Sequence, residues 1–313
     1  MKLDIPEIDQ IPEFMKILDD LSVGNNVFLI GPAGTGKTSL AEKVAYSFNN
    51  RSENDKKAPP FITLNCNQYT SPTEIRGGQT IEGYKEGALI TAWKEGKILI
   101  LDEMPKLDPN TAGILNDALA KNSKSGTIIF NGLNEPIEKH DNFGCIATGN
   151  TSGKEVSATY GGNNRQDASL LDRFSSSCYQ IGYNEVLESS LIYPLVYEIC
   201  TRIRQQILSH AYGSGNETET IMTLRTMSNM AKIYELEMLR LTQMKDSRGK
   251  IVPDHSNGKR LKDSIESYLN LMPDEVAHTF RLNLSLETFY NRYRDRDSMK
   301  SFRNEYTKRL TSV

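Results

Sequence analysis

Residues 31–38 read Gly31-Pro32-Ala33-Gly34-Thr35-Gly36-Lys37-Thr38. Just before them lies a short apolar run, Asn26–Ile30 (NVFLI), with the makings of a buried strand. Just after, residues 38–48 place Leu40, Ala41, Val44, Ala45 and Phe48 at helical spacing. Strand, glycine-rich turn and amphipathic helix are the context in which G-x-x-x-x-G-K-[ST] cradles phosphate. Each part has a physical reason. The glycines let the backbone close around an anion and aim N–H groups inward. The helix N-terminus adds partial positive charge. Lys37 supplies a full charge for the β- and γ-phosphates, and the Thr38 hydroxyl suits Mg²⁺, a hard ion that keeps much of its water. The expected nucleotide-contact segment runs from Gly31 through Thr38 to the next position, Ser39, in the first turn of the helix.

Further strands are expected at Phe61–Leu64, Ile98–Leu101, Gly144–Thr148 and Cys178–Ile181, with helical or loop sequence between them. Residues 126–139 read as a β-hairpin turning near Gly132 to Asn134. Alternating strands and helices predict a mostly parallel five-stranded sheet covered on both faces, an α/β fold. The third strand ends in two acids, Ile98-Leu99-Ile100-Leu101-Asp102-Glu103. Acids at the carboxyl end of a parallel strand enter the ligand crevice. Asp102 is then expected to help hold the metal, and Glu103 to act as general base toward a water.

After about residue 185 the pattern changes. Ile192, Val196, Ile199, Ile203 and Ile207 repeat at helical spacing. A loop at 212–219, a helix at 220–244, a polar break at 245–260 and two more helical stretches follow. The expected domains are an α/β nucleotide-binding core at 1–185, a helical lid at 186–245 and a helical extension of unknown role at 246–313. Over 313 residues the net charge is −3, and a quarter of the residues are charged. That balance excludes a wholly disordered chain and general attraction to nucleic acid. Residues 281–313 are nevertheless net +4, which leaves −7 for the rest. Scattered Cys66, Cys145, Cys178 and Cys200 have no metal-ligand spacing and fit a reducing compartment. The sequence shows neither a leader pattern nor a long apolar run, so a soluble cytoplasmic protein without membrane contact is expected.

The loop GPAGTGKT together with ILILDE resembles the paired nucleotide motifs of AAA+ ATPases. Residues 87–96 (GALITAWKEG) look like the approach to the acidic strand in the MoxR, CbbQ and dynein-related branch. The 126–139 hairpin, then Asp141-Asn142-Phe143 and Cys145-Ile146-Ala147-Thr148-Gly149-Asn150, is similar to that branch's pre-sensor hairpin and strand. The resemblance covers about residues 10–240. It implies that Asn150 is sensor 1, beside the γ-phosphate. Leu170-Leu171-Asp172-Arg173-Phe174 resembles the segment carrying the arginine finger, here Arg173, with Arg165 in a Gly/Asn-rich loop as a second candidate. Thr223-Leu224-Arg225 resembles sensor 2. Lys37, Glu103, Asn150, Arg173 and Arg225 would form the catalytic set. Thr38 and Asp102 would hold Mg²⁺, and ATP is preferred because no N-K-x-D element for guanine is present.

A finger offered to a neighbour requires an oligomer, and the family forms closed rings, commonly hexamers. The resemblance further implies chaperone-like remodelling of a partner protein, with a von Willebrand A-type partner as one option. The rival reading is a nucleic-acid-associated motor, or a restriction or phage DNA-handling ATPase. It rests on Arg292, Arg294 and Arg296 interleaved with Tyr290 and Tyr293, and on Lys85 beside Tyr84 in a region that carries a pore-facing insert in the family. The alternative for the tail is a charged helix packing through Leu282, Leu286, Phe289 and Tyr293.

Overall fold

The computed structural model describes residues 11–52, 57–153, 162–214, 222–246, 249–250 and 258–311. The chain divides into two units, Met1–Tyr183 and Asn184–Val313. In the first, α1 (Glu13–Ser22) leads to β1 (Val27–Ile30), the phosphate loop and α2 (Lys37–Phe48). Then come β2 (Phe61–Asn65), α3 (Pro72–Arg76), a short hairpin β3 (Gly78–Thr80) and β4 (Gly83–Lys85), α4 (Ala88–Glu95) and β5 (Ile98–Asp102). A 3-10 turn, Met104–Lys106, precedes α5 (Pro109–Ala112) and α6 (Leu115–Lys121). A second hairpin, β6 (Ile128–Phe130) and β7 (Pro136–Glu138), runs into β8 (Gly144–Gly149), α7 (Ala168–Asp172) and β9 (Cys178–Gln180).

Strands β1, β2, β5, β8 and β9 form one parallel sheet in the order β2-β5-β8-β1-β9, as the alternating pattern predicts. Its continuous apolar runs are split by the two-residue period of a strand. Phe28, Ile30, Leu99, Leu101, Cys145 and Ala147 face a core completed by α4, α6 and α7. Val27, Leu29, Ile98, Ile100 and Ile146 face the other core, under α1 and α2. With both faces covered, the functional groups can only emerge at the strand ends.

The expected hairpin is present, with Ile129 opposite Ile137. The Asn131 side-chain oxygen accepts from the N–H groups of Leu133 and Glu135, each at 2.9 Å, and so shapes its turn. The β3–β4 hairpin is bound to it. Arg76 donates through Nε and Nη2 to the Phe130 carbonyl, at 3.0 and 2.6 Å. Gly132 N–H donates to the Arg76 carbonyl at 3.1 Å, which also accepts from Tyr84 Oη at 3.2 Å. A Cβ at Gly132 would stand 2.0 Å from the Gly77 carbonyl, so only glycine permits this approach. Ile81, Ile128, Phe130 and Leu133 are exposed on the paired hairpins.

Among the described residues the regular elements of the second unit are helices: α8 (Glu185–Leu191), α9 (Pro194–Ser214), α10 (Leu224–Thr242), α11 (Leu261–Leu269), α12 (Asp274–Asn283), α13 (Leu286–Arg292) and α14 (Arg296–Thr311). At the expected loop of 212–219, α9 instead continues through Ser214; residues 215–219 lie outside the described residues. So do 247–248 and 251–257 of the polar break. The two helical stretches expected after residue 260 are four helices. Pro273 separates α11 from α12, and Ser285, left-handed at φ 51°, separates α12 from α13. One hydrophobic core runs from Ile192 through Met238 to Phe302 and Tyr306. Inside this unit Arg204 forks onto Glu188 at 2.7 and 2.9 Å and also donates to the Met222 carbonyl at 3.0 Å. Buried Glu237 accepts from Leu261 N–H at 2.8 Å and Tyr293 Oη at 2.9 Å. No helix among the described residues is long and apolar enough to cross a membrane.

Candidate nucleotide site

The phosphate loop closes at the carboxyl end of β1. Gly34 and Gly36 stand at φ 76° and 86°, a region open to glycine, and Gly36 caps α2. A glycine-rich loop leading into a helix N-terminus is suited to turn main-chain N–H groups toward an anion. Lys37 is buried, and its Nζ lies 2.8 Å from the Gly31 carbonyl, 2.9 Å from the Pro32 carbonyl and 3.1 Å from Asn150 Oδ1. Burial lowers its pKa to about 8, against the opposing charges of Asp102 and Glu103. Asn150 directly follows β8, so two neighbouring strands deliver the ammonium and the amide together.

Asp102 ends β5. Its Oδ1 accepts from Thr38 Oγ1 at 2.7 Å and from Thr148 Oγ1 at 2.7 Å. A hydroxyl beside a carboxylate is a hard oxygen pair of the kind Mg²⁺ takes. Among the described residues no group of three or more His, Cys, Asp or Glu could hold a metal. The loop, with its Thr38–Asp102 pair, fits both a nucleotide and Mg²⁺.

Glu103 adopts a left-handed backbone, φ 58°, and its N–H donates to Thr148 Oγ1 at 3.0 Å. Its carboxylate forms an ion pair with Lys106, three residues on. Sequence reading missed both partners. Thr148 follows the Leu101–Ala147 register pair by one step, a neighbourhood that only the paired strands reveal. Lys106 gave no signal, because its reach depends on the 3-10 turn.

A second unanticipated set lies at 163–166. Asn164 N–H donates to the Pro105 carbonyl at 2.7 Å, and its amide to the carbonyls of Lys106 and Leu107 at 3.2 and 3.1 Å. Buried Gln166 donates to the same Pro105 and Leu107 carbonyls, at 3.1 and 2.9 Å. Gln166 N–H reaches the Gly153 carbonyl at 2.9 Å, and Asn163 Nδ2 reaches Thr151 Oγ1 at 3.0 Å. This segment, with exposed Arg165 between its amides, is latched to the turns that follow Glu103 and Asn150. Residues 154–161 lie outside the described residues.

Arg173 lies elsewhere. It caps the C-terminus of α7, and its carbonyl accepts from Asn26, at the opposite end of β1 from the phosphate loop. A four-residue strand separates the two ends, about 13 Å at roughly 3.3 Å per residue. Arg225 belongs to the second unit, exposed in the first turn of α10, where Thr223 accepts from Thr226 N–H at 3.2 Å. In the tail, Tyr290 and Tyr293 are buried and donate to Glu266 at 2.7 Å and Glu237 at 2.9 Å. Their rings are core, so they do not form the stacking platform suggested by the alternating arginines and tyrosines. The packed-helix reading holds at three of its four positions: Leu286 and Tyr293 are buried and Phe289 packs against the same core, while Leu282, on α12, is 66% exposed.

The chain is 34% identical over 135 residues to the uncharacterized protein YojN of Bacillus subtilis, covering 41% of this chain and 40% of that one. It therefore spans well under two thirds of that relative. It is 27% identical over 222 residues to the uncharacterized protein SERP0979 of Staphylococcus epidermidis, covering 68% and 73% of the two chains. Among solved structures, NtrX from Brucella abortus in complex with ATP aligns with a TM-score of 0.46 at 18% identity, over 96% of this chain and 68% of that one. Residues 26–174, which hold the phosphate loop, the acidic pair, Asn150 and Arg173, match the AAA domain of the dynein-related subfamily.

Proposed function

We propose that this protein hydrolyses ATP by in-line attack of water on the γ-phosphate, within an oligomeric ring that remodels a partner protein. The observation carrying the reading is the convergence of Lys37, Asn150, Thr38 and Asp102 at the carboxyl ends of β1, β8 and β5. When bound, Mg²⁺ supplies charge neutralisation at the phosphate oxygens. Thr38 Oγ1 and Asp102 would hold that ion. Lys37 leaves its loop carbonyls for the phosphates, and the Asn150 amide orients the water. Glu103 accepts the water's proton once its carboxylate parts from Lys106.

Arg173 lies at the far end of β1, away from its own loop, and this favours action on a neighbouring subunit's nucleotide. A planar, permanently charged guanidinium there contributes about 10³–10⁵ in rate in other phosphate-loop enzymes. Arg225 would report phosphate state from the helical unit. The ring is proposed as a hexamer, with a MoxR- or CbbQ-like role on a protein substrate or a von Willebrand A-type partner.

The test is Glu103→Gln. It should bind ATP normally, hydrolyse it at least 100-fold more slowly, and hold the partner long enough for pull-down. Turnover at the wild-type rate would remove Glu103 as the base.

A further inference from the structure

At the foot of β1 lies a buried amide that the proposed chemistry does not use. Asn26 is 5% exposed, and its Nδ2 donates to two main-chain carbonyls, Leu119 at 3.0 Å and Arg173 at 3.1 Å. Its Oδ1 accepts from Asn122 Nδ2 at 3.0 Å, and Asn122 is 1% exposed. The orientation of the amide is fixed by its partners, since two carbonyls can only accept. Asn26 thus joins the start of the phosphate-loop strand to the end of α6 and to the C-terminal cap of α7.

The same strand grips the α7 terminus a second time. Two residues on, Phe28 packs its ring against Phe174, with centroids 5.7 Å apart. Arg173 therefore sits between a hydrogen-bonded carbonyl and a buried aromatic anchor. Its guanidinium is only loosely held. Among the described residues its buried Nε has no hydrogen-bond partner and its only ion-pair acid is Asp172, at 4.0 Å; about a third of the side chain, away from Nε, is exposed. A main chain fixed from two sides with an uncommitted cation suits an arginine that must meet another molecule's phosphate.

We propose that Asn26, oriented by Asn122, is a positioning residue for Arg173. It ties the strand that enters a subunit's own phosphate loop to the arginine which that subunit offers its neighbour. The inference rests on the trans role of Arg173 proposed above. Asn26 itself touches neither nucleotide nor metal. Replacing it frees the Arg173 carbonyl and lets the cap of α7 drift, so the loss should appear in turnover at the neighbouring site.

The experiment uses the full chain in mixed assemblies. Asn26→Ala alone should lower kcat at least tenfold while a fluorescent ATP analogue binds within twofold of wild type. Mixed with Lys37→Ala, which lacks a working site but carries an intact Arg173, Asn26→Ala should regain activity, because its own site is then served by a sound neighbour. Arg173→Ala mixed with Lys37→Ala is the control. Rescue of both mixtures supports the proposal. Rescue of Arg173→Ala but not of Asn26→Ala overturns it, since the Asn26 defect then lies in its own subunit. Failure to rescue Arg173→Ala removes the trans reading itself, and the positioning role with it. Unchanged kcat in Asn26→Ala also overturns the proposal. Should Asn26→Ala not fold, Asn122→Ala carries the same test. It leaves the two carbonyl bonds but unfixes the amide, and a several-fold loss of kcat with the same rescue is expected; an unaltered kcat would refute the role.

Discussion

Thr148→Val tests the pairing of the two acids. The hydroxyl of Thr148 is buried, donates to Asp102 Oδ1 at 2.7 Å and accepts from Glu103 N–H at 3.0 Å. Valine keeps the volume and removes both bonds. A hydrogen bond to a charged group contributes about 1.5–3 kcal/mol and a neutral one about 0.5–1.5 kcal/mol. Asp102 keeps its bond from Thr38, so part of the first loss is recovered. The net cost is then about 2–3 kcal/mol. At roughly 2–4 °C per kcal/mol for a unit of this size, the melting transition of the first unit should fall by about 4–12 °C. Turnover should fall as well, because Glu103 holds a left-handed backbone partly through that bond. The assay is differential scanning calorimetry beside steady-state phosphate release, with Thr148→Ser as the restoring control. A Thr148→Val protein melting within about 1 °C of wild type, with unchanged kcat, would refute the reasoning.

Other substitutions probe the remaining contacts. Lys106→Met removes the ion pair on Glu103 and should raise basal ATP turnover several-fold, read by phosphate release without partner; a fall would show that Lys106 helps catalysis. Gln166→Leu removes its two bonds to the Pro105 and Leu107 carbonyls, which keep their Asn164 donors, and should cost about 1–3 kcal/mol in urea unfolding. Arg204→Met leaves Glu188 buried and unpaired, for a loss of about 3–5 kcal/mol in the helical unit, visible in its own denaturation transition. Chelation of Mg²⁺ with EDTA should abolish turnover, and added Mg²⁺ should restore it; activity surviving chelation would contradict the Thr38–Asp102 pair as metal holder.

The phosphate loop was legible in the sequence because its chemistry is local. Glycine spacing, the lysine and the adjoining strand and helix all lie within about twenty residues of one another. The order of the sheet was not, although its parallel character was, since alternation shows that strands run alike without saying which are neighbours. Thr148 escaped notice because its partners lie 46 and 45 residues away, across a strand pair. The 163–166 latch escaped because Asn and Gln in a loop read as turn formers until their acceptors are known. The break at Ser285 was invisible because a left-handed serine carries no glycine signal. In the tail, one alternation of arginine and tyrosine fits both a nucleic-acid platform and a packed helix. The acids that engage the tyrosines, Glu237 and Glu266, lie on α10 and α11.

The joined hairpins have a mechanical consequence. The β3–β4 hairpin runs through α4 into β5, which ends at Asp102, and the β6–β7 hairpin runs into β8, which leads to Asn150. Arg76, at the end of α3 just before β3, ties the start of the first hairpin to Phe130 and Gly132 of the second, so a push on one is felt by the other. A load on the exposed tip at Ile81 is shared with the Phe130 loop and delivered to two adjacent strands at once. Asp102 and Asn150, proposed above to hold the metal and to orient the water, are thereby geared to a common lever, and would advance or retreat in step.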